Sequence, residues 1–261
     1  MTAPAGSFAT GTPEMRTNMR SFSLTDIGSR RKMNQDFVCA SDESVGNLPN
    51  LYLLADGMGG HQAGDFASRY TVRETLRLAA ASSRTDPIEL LGEVLHAVNR
   101  NLHETAQARE DLYGCGTTIV AATVQDGILR TANVGDSRLY ILGEDGIRQV
   151  TVDHSLVEEM VLAGSLDAER ARNHPDKNII TRAVGVEEYL DVDFFTTRLR
   201  SGDLVLMCSD GLTNMVEDAE ILRLVRSKDS LESKAAALIG AANREGGLDN
   251  ISVILVDPSA E

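Results

Sequence analysis

The chain has 261 residues, of which 42% are hydrophobic, enough to fill the core of one large domain or two small ones. Acidic residues number 39 and basic residues 25, which leaves a formal net charge of −14. This charge argues against nucleic acid or an anionic membrane as a partner and favours cations as ligands, although an acidic surface that only maintains solubility has the same composition.

The first segment, residues 1–20, is rich in Ala, Gly, Ser, Thr and Pro without an apolar period, which predicts a flexible lead-in before a single domain over 21–258. No apolar run reaches the ~20 residues of a membrane span, and no basic-then-hydrophobic pattern marks a secretory signal. Cys39, Cys115 and Cys208 are widely spaced and form no C-x-x-C pair, as is typical of thiols in a reducing compartment. We therefore expect a cytoplasmic protein.

Strand-like runs of β-branched and large apolar residues follow at intervals, each closed by Gly, Asp or Asn. Two pairs of runs are joined by short turns, Gln-Asp-Gly at 125–127 and Glu-Asp-Gly at 144–146, which predict β-hairpins and therefore antiparallel sheets. The predicted strands are 37–41, 51–55, 117–124, 128–134, 137–143, 193–199, 203–209 and 251–257, with 147–151 as the hairpin partner of 137–143.

Helical periods lie between these strands, and Asp86 before Pro87 is a typical helix start. Helices in blocks, with strands towards both ends of the chain, favour an α+β fold in which helices cover the faces of antiparallel sheets. Residues at about 164–180 lack the apolar patterns of the neighbouring strands and helices and contain polar side chains and a proline, which predicts a surface flap. The predicted helices are about 63–81, 87–109, 155–163, 217–226 and 230–244.

Four aspartates lie at the ends of predicted strands, each beside Gly or Asn. A fifth, Asp36, lies in an Asn-Gln-Asp run. A single Asp-Gly pair is usually a turn, but several carboxylates held at strand ends around one cleft are the arrangement that gathers Mg²⁺ or Mn²⁺. Crowded carboxylates without a cation would have raised pKa values, so the pattern predicts a divalent metal site. Two ions about 4 Å apart can activate a shared water towards a phosphate ester. The four aspartates are Asp56, Asp136, Asp210 and Asp249.

Eight segments between about residues 22 and 257 follow one another as TDIGSRRKMNQDF, LLADGMGGHQAG, GCGTTIVAA, ANVGDSRLYIL, VTVDHSLVEEMV, ITRAVG, GDLVLMCSDGLTNMV and DNISVILV. With these segments in this order, the chain resembles the metal-dependent serine/threonine protein phosphatases of the PP2C (PPM) family, in their compact bacterial form. The resemblance implies a four-layer αββα sandwich of two antiparallel β-sheets flanked by helices. It also implies hydrolysis of phosphoserine and phosphothreonine by a water that two bridged Mn²⁺ or Mg²⁺ ions activate.

The resemblance also implies a set of metal ligands. Asp56 would bridge the two core ions, and the Gly57 carbonyl would ligate one of them. Asp210 and Asp249 match the remaining core ligands, and Asp36 matches an acid that binds the second ion, often through water. An Asx cap before the strand is the alternative role for Asp249.

In this resemblance, Arg31, five residues before Asp36, matches the arginine that binds the substrate phosphate. Arginine suits this role because a planar guanidinium can donate two parallel hydrogen bonds to phosphate oxygens. The neighbouring Arg30 could bind the phosphate instead. Alternatively, Arg31 could be only a solvated surface charge in the Arg-Arg-Lys run. The spacing to the Asn-Gln-Asp run favours Arg31.

Two further residues have weaker assignments in the same resemblance. Asp136, together with Asp210, matches a third and weaker metal site, while a turn Asp is its structural alternative. His61 is a candidate general acid, because a leaving serine alkoxide needs a proton donor with a pKa near neutrality. A loop histidine that only hydrogen-bonds to backbone is the alternative there. The expected catalytic residues are therefore Arg31, Asp56 and His61.

The expected cofactors are Mn²⁺ or Mg²⁺, as two core ions and a weaker third. The expected partners are phosphorylated proteins, among them a partner Ser/Thr kinase, with no nucleic acid, and we expect a monomer. A non-catalytic phosphoprotein-binding module of the same fold is the alternative, which an incomplete set of acids would favour. A metal-dependent nuclease conflicts with the acidic charge, and no cysteine is followed by the arginine of a Cys-x₅-Arg phosphate cradle.

Overall fold

The computed structural model describes residues 19–60, 62–172 and 174–259, with the side chains of 168 and 169 left out. Residues 1–18 of the predicted lead-in lie outside these ranges. Met19 is buried and Arg20 begins the first strand. The last two residues of the lead-in predicted over 1–20 therefore belong to the folded domain.

Strands and helices alternate in blocks along the described residues. The strands are β1 Arg20–Asp26, β2 Asp36–Ser41, β3 Leu51–Met58, β4 Gly116–Thr117, β5 Ile119–Gln125, β6 Ile128–Val134, β7 Arg138–Gly143, β8 Gly146–Gln149, β9 Asp193–Arg198, β10 Leu204–Cys208 and β11 Ile251–Asp257. The helices are α1 Ala63–Ala81, α2 Pro87–Ala108, α3 Leu156–Leu162, α4 Ala168–Ala171, α5 Asp210–Thr213, α6 Asp218–Val225 and α7 Leu231–Arg244. Each predicted strand and helix is present, with the predicted strand 117–124 divided between β4 and β5, while β1, α4 and α5 are elements that the sequence patterns did not predict.

The strands form two antiparallel sheets. The first sheet has the order β1-β11-β10-β7-β8, and the second has the order β2-β3-β5-β6-β9 with β4 paired to β3. Both predicted hairpins are confirmed as the β5–β6 and β7–β8 pairs. Asp126 and Gly127, between β5 and β6, have φ values of 54° and 69°, as the two-residue turn that matches strand twist requires.

Three apolar clusters divide the molecule into layers. One cluster lies between the sheets and includes Tyr52, Leu54, Met207 and Ile254. A second packs β3, β5 and β6 against α1 and α2. A third packs the first sheet against α5, α6 and α7. The α+β, four-layer αββα sandwich predicted from the sequence is therefore confirmed.

Helix α2 shows how local sequence places these layers. The Asp86 carboxylate accepts hydrogen bonds from the N–H groups of Ile88 and Glu89, and Pro87 occupies the first turn, where its missing N–H is not needed. Its apolar face is buried against the second sheet. No helix in the described ranges is long and apolar enough to span a membrane.

Strand register brings the loops of both sheets to one end of the sandwich. In the second sheet, Asp36 at the start of β2 lies opposite Asp56 near the end of β3. In the first sheet, the end of β10 lies beside the starts of β7 and β11. The short connection at 135–137 joins β6 of one sheet to β7 of the other at this same end.

Residues 164–180 leave the sandwich after α3 and return to it near this end. Two backbone hydrogen bonds close the base of the excursion, from Leu156 N–H to Ile179 O at 2.9 Å and from Thr181 N–H to His154 O at 2.8 Å. The segment contains α4 and turns. Its proposed role as a flap stays a prediction.

Candidate metal centre

A cavity of about 250 Å³ opens where the loops of the two sheets meet. Asp36 lies beneath it and is only 3% exposed. Six residues predicted from the sequence line the cavity: Arg31, Asp56, Gly57, Asp136, Asp210 and Asp249. His61 lies outside the described residues.

Asp36 and Asp56 are a cross-strand pair of the β2–β3 ladder. Two like charges placed directly opposite each other destabilise a sheet, so this pairing requires compensation. One oxygen of Asp36, Oδ2, accepts a hydrogen bond from Ser209 Oγ at 2.8 Å, which links the second sheet to the end of β10. The other oxygen, Oδ1, is buried without a hydrogen-bond partner.

Two threonines fix the backbone of Asp56. Its N–H donates to Thr118 Oγ1 at 2.9 Å, and its carbonyl oxygen accepts from Thr118 N–H and Thr117 Oγ1, both at 2.8 Å. Thr118 Oγ1 also hydrogen-bonds to Ser137 Oγ at 2.8 Å, which ties this strand to the turn that carries Asp136. The sequence analysis assigned these threonines only to a strand. Their position directly after Gly116 in the GCGTT segment was the available signal.

Gly57 and Gly211 stand where no side chain fits. A Cβ on Gly57 would lie 2.0 Å from the carbonyl oxygen of Gly64, and a Cβ on Gly211 would lie 1.9 Å from that of Asn250. Because real Cβ atoms do not approach oxygen so closely, these glycines let neighbouring loops meet around the cavity.

Asp210 and Asp249 come from the first sheet. Asp210 is the first residue of α5, immediately after β10, and its Oδ2 accepts from Asn214 Nδ2 at 2.8 Å. Its Oδ1 is buried without a hydrogen-bond partner. Asp249 accepts from the N–H of Asn250 at 2.8 Å through Oδ1, so the Asx-type contact weighed in the sequence analysis is present. Its second oxygen, Oδ2, remains available to another group.

Arg31 is that group. Its Nη2 lies 2.6 Å from Asp249 Oδ2, and its guanidinium lines the cavity while remaining about half exposed. Arg30 instead uses its backbone N–H to hydrogen-bond to Gly247 O, and it does not line the cavity. The geometry therefore favours Arg31 over Arg30 as the anion-binding residue.

Asp136 lies in the connection between β6 and β7, and a buried histidine holds that turn. His154 Nδ1 accepts from the N–H of Gly135 at 3.1 Å, so its Nε2 carries the proton and donates to Asp193 Oδ2 at 3.1 Å. The N–H of His154 also donates to Gly135 O at 3.0 Å. Asp136 and Asp210 together line a second cavity of about 300 Å³ beside the first.

Burial and mutual repulsion raise the pKa values of the clustered carboxyl groups. Burial, the largest cause, together with the charges of Asp210 and Asp249, raises the pKa of Asp36 to about 7 despite the hydrogen bond from Ser209. Burial and the charge of Asp249 raise the pKa of Asp210 to about 6. The pKa values of two further carboxyl groups are raised well above their usual range by burial first and by neighbouring carboxylates second, those of Asp56 and Asp136.

A divalent cation fits this donor set. Hard oxygen ligands are the ones that Mg²⁺ and Mn²⁺ prefer, and the unpartnered buried oxygens of Asp36 and Asp210 are costly without a cation. Within the described ranges, no three acidic, histidine or cysteine side chains already converge as a ready cation site. Arg31, Asn214 and Ser209 each hold one carboxylate oxygen, so metal binding would exchange some of these contacts.

Asn250 is a positioning residue that the sequence analysis did not assign. Its Nδ2 donates to the carbonyl oxygens of Ile27 and Met33 at 2.9 and 3.0 Å, and its Oδ1 accepts from the N–H of Gln35 at 2.9 Å. The loop that carries Arg31 is thereby fixed to the start of β11. The Asp-Asn pair at the head of the last strand was the signal in the sequence.

Comparisons with known proteins identify the family to which the chain is related. The sequence profile of the family described as protein phosphatase 2C matches residues 28–249. The serine/threonine phosphatase stp of Listeria innocua is 45% identical over 237 residues, which cover 89% of this chain and 93% of the relative. The crystal structure of the serine/threonine phosphatase Stp1 from Staphylococcus aureus has a TM-score of 0.88 at 34% identity, covering 97% of this chain and 100% of that one. The catalytic domain of the serine/threonine protein phosphatase PstP in complex with two manganese ions has a TM-score of 0.80 at 31% identity, covering 92% and 97%.

Proposed function

This chain belongs to the protein phosphatase 2C family and is a metal-dependent serine/threonine protein phosphatase, and from that premise we propose that its active site is the carboxylate-lined cavity. One observation carries the proposal. Aspartates from both sheets converge on one cavity beside Arg31, and two of them have a buried oxygen with no hydrogen-bond partner. Such a cluster is stabilised by divalent cations, which phosphate hydrolysis also uses.

The proposed ligands follow the sequence assignment. Asp56, the Gly57 carbonyl, Asp210 and Asp249 would hold two core ions, and Asp36 would contribute directly or through water. Asp136 with Asp210 holds a weaker third ion. When bound, Mn²⁺ or Mg²⁺ would supply Lewis acidity towards water and towards phosphate oxygens. The manganese ions bound by PstP support this proposal by analogy.

The residues of the chain supply orientation and charge. Arg31 binds the substrate phosphate through the guanidinium N–H groups that Asp249 does not occupy, since arginine has five donors in a planar fork. Thr117 and Thr118 hold the Asp56 backbone in place, which keeps the carboxylate aligned during turnover. His61 as the proton donor to the leaving serine or threonine oxygen stays a prediction from the sequence.

The substrates are phosphoserine and phosphothreonine side chains of phosphoproteins. The phosphorylated form of a partner Ser/Thr kinase is one such substrate in this proposal. A non-catalytic module of the same fold would lack part of the acid set, whereas the full set lines or underlies the cavity here.

Turnover of a small aryl phosphate and of a phosphothreonine peptide tests this assignment. Both activities should require Mn²⁺ or Mg²⁺ and disappear with a chelator. Asp56→Asn should lower both by about 10²-fold or more while the fold is retained, since the variant loses a carboxylate that would hold the ions. Mn²⁺ binding followed by calorimetry should weaken in the same variant.

Asp126→Asn is the matched control, because Asp126 lies in the β5–β6 turn, where Asn is equally well accommodated. It should leave activity and Mn²⁺ affinity unchanged. Near-normal turnover by Asp56→Asn at saturating Mn²⁺ would contradict the assignment.

A further inference from the structure

A groove much larger than the catalytic cavity runs along α1. Its volume is about 1020 Å³, against about 250 Å³ for the cavity. The groove is lined from Gln62 to Glu74 on the helix side, which corresponds to a length of roughly 18 Å at 1.5 Å per residue. The connection after α2 forms its other wall, including Arg109 and Leu112. A groove of this length fits an extended polypeptide of several residues.

The groove begins at the loops of the proposed active site. Gly60, which lines the groove, follows Gly57 and Gly59 of the cavity in the loop after β3. Met33, on the other side, lies in the same loop as Arg31. The two loops that border the proposed active site therefore also border this end of the groove.

The floor of the groove is aromatic. Phe66 and Tyr70, one turn apart on α1, stack with their ring centroids 5.6 Å apart. The Arg109 guanidinium lies 5.5 Å from the centroid of the Phe66 ring, which fixes the wall against the floor. Stacked rings lining an open groove offer contact area for an apolar side chain at little cost in conformational entropy.

The charges of the groove differ from those of the whole molecule. Arg69 is neutralised by Asp65 at 2.5 Å, and Arg109 by Asp111 at 2.6 Å. Arg73 is exposed and lies 5.7 Å from the centroid of the Phe37 ring, and it forms no ion pair with any residue of the described ranges. In a chain with a net charge of −14, this is a local site for an acidic side chain.

We propose that this groove binds the polypeptide that flanks the phosphorylated residue in a substrate phosphoprotein, with an apolar side chain against Phe66 and Tyr70 and an acidic side chain at Arg73. The proposal rests on the proposed function, because it takes the phosphate to be at Arg31. It makes the groove a determinant of which phosphoproteins are dephosphorylated. The chemistry of phosphate cleavage does not depend on it.

Steady-state kinetics with matched phosphothreonine peptides tests the groove. A short peptide is compared with peptides extended on either side of the phosphothreonine by a segment containing Phe and Glu, and with the same extensions carrying Ala and Gly. At least one Phe/Glu extension should lower KM by about three- to tenfold, the size expected for one ion pair and one apolar contact at a surface. Arg73→Glu should remove this gain, and a Phe/Lys extension should restore it in the variant.

Arg100→Glu is the matched control, because Arg100 is an exposed residue of α2 that does not line the groove and the charge change is the same. It should leave the selectivity between peptides unchanged. Turnover of the aryl phosphate should be unchanged in both variants. If the wild-type protein did not turn over the aryl phosphate at all, the proposed function would be contradicted, and not the role of the groove.

Equal KM values for short and extended peptides, or a gain that survives Arg73→Glu, would overturn the proposal. So would a change in oligomeric state with Arg73→Glu and no change in peptide selectivity, since this would identify the groove as a contact between copies of the chain.

Discussion

Thr118 shows how much of the site depends on residues that hold the aspartates in position. Its hydroxyl accepts the N–H of Asp56 and bonds to Ser137, so a single side chain aligns the strand of Asp56 with the turn of Asp136. A buried N–H that loses its acceptor costs about 1–3 kcal/mol. The positions of the proposed metal ligands Asp56 and Asp136 are therefore set partly by this hydroxyl.

Thr118→Val keeps the shape of the side chain and removes that acceptor. We expect the free energy of unfolding to fall by about 1–3 kcal/mol and the affinity for Mn²⁺ to weaken. Thr131→Val is the control, since Thr131 is equally buried but its Oγ1 has no partner among the described residues. In urea unfolding and Mn²⁺ titration, Thr118→Val should show the lower stability and the weaker Mn²⁺ affinity of the two variants. Equal behaviour would show that the Thr118 hydrogen bonds contribute little.

The raised carboxyl pKa values make the stability of the metal-free protein depend on pH. The pKa values of Asp36 and Asp210, about 7 and about 6, exceed the ordinary 3.8, so the folded state retains protons that the unfolded chain has released. The stability that this contributes is fully present below about pH 4 and is lost as the pH rises towards 7.

In chelator, the urea midpoint of the wild type should therefore fall between about pH 5 and about pH 8, and Asp36→Asn should fall less. Added Mn²⁺ should stabilise the wild type more at the higher pH, because the cation competes with protons for the same oxygens. A midpoint in chelator that rises with pH to the same extent in both proteins would contradict the linkage.

At the scale of elements, the excursion at 164–180 contributes to both cavities. Asn178 and Ile180 line the catalytic cavity, while Arg172 and Lys177 line the second cavity beside Asp136. Its base is fixed by backbone hydrogen bonds to His154 and to Leu156, the first residue of α3. This arrangement favours a role in substrate choice.

Lys177→Glu should raise KM for a phosphoprotein by about two- to fivefold, the effect of one partly exposed charge, and leave the rate on an aryl phosphate unchanged. Lys228→Glu, at an exposed position that lines neither cavity, is the control. Equal losses on both substrates in Lys177→Glu would assign the excursion to the chemistry instead.

The sequence predicted elements wherever the local pattern was sufficient. Helix α1 has the predicted bounds, and the β5–β6 hairpin follows from its Asp-Gly turn. Strand β1 was not predicted because it has few apolar residues and is held by pairing with β11 at the other end of the chain. Helix α5 was missed because its four residues follow β10 directly and are too few for a period.

At the scale of the molecule, the sequence predicted the aspartates but not their supports. Four of the five aspartates are marked by a strand end and a neighbouring Gly or Asn, and Asp36 by its Asn-Gln-Asp run, all of which are local signals. The bond from Ser209 to Asp36 and the contacts of Asn250 with the Arg31 loop join segments far apart in the chain, so they depend on the packing of two sheets. Long-range contacts of this kind leave no local pattern.

Carboxylates from both sheets meet at this end of the sandwich. A divalent ion there would act as a cross-link between distant segments, and its removal would leave the end open to local unfolding. Amide hydrogen exchange should therefore quicken in chelator around Cys208 and Val253, which pair at the site end, and change little around Val205 and Val256, which pair at the other. Mn²⁺ should restore slow exchange at the first pair only, whereas uniform acceleration would mean that the ion stabilises the whole sandwich.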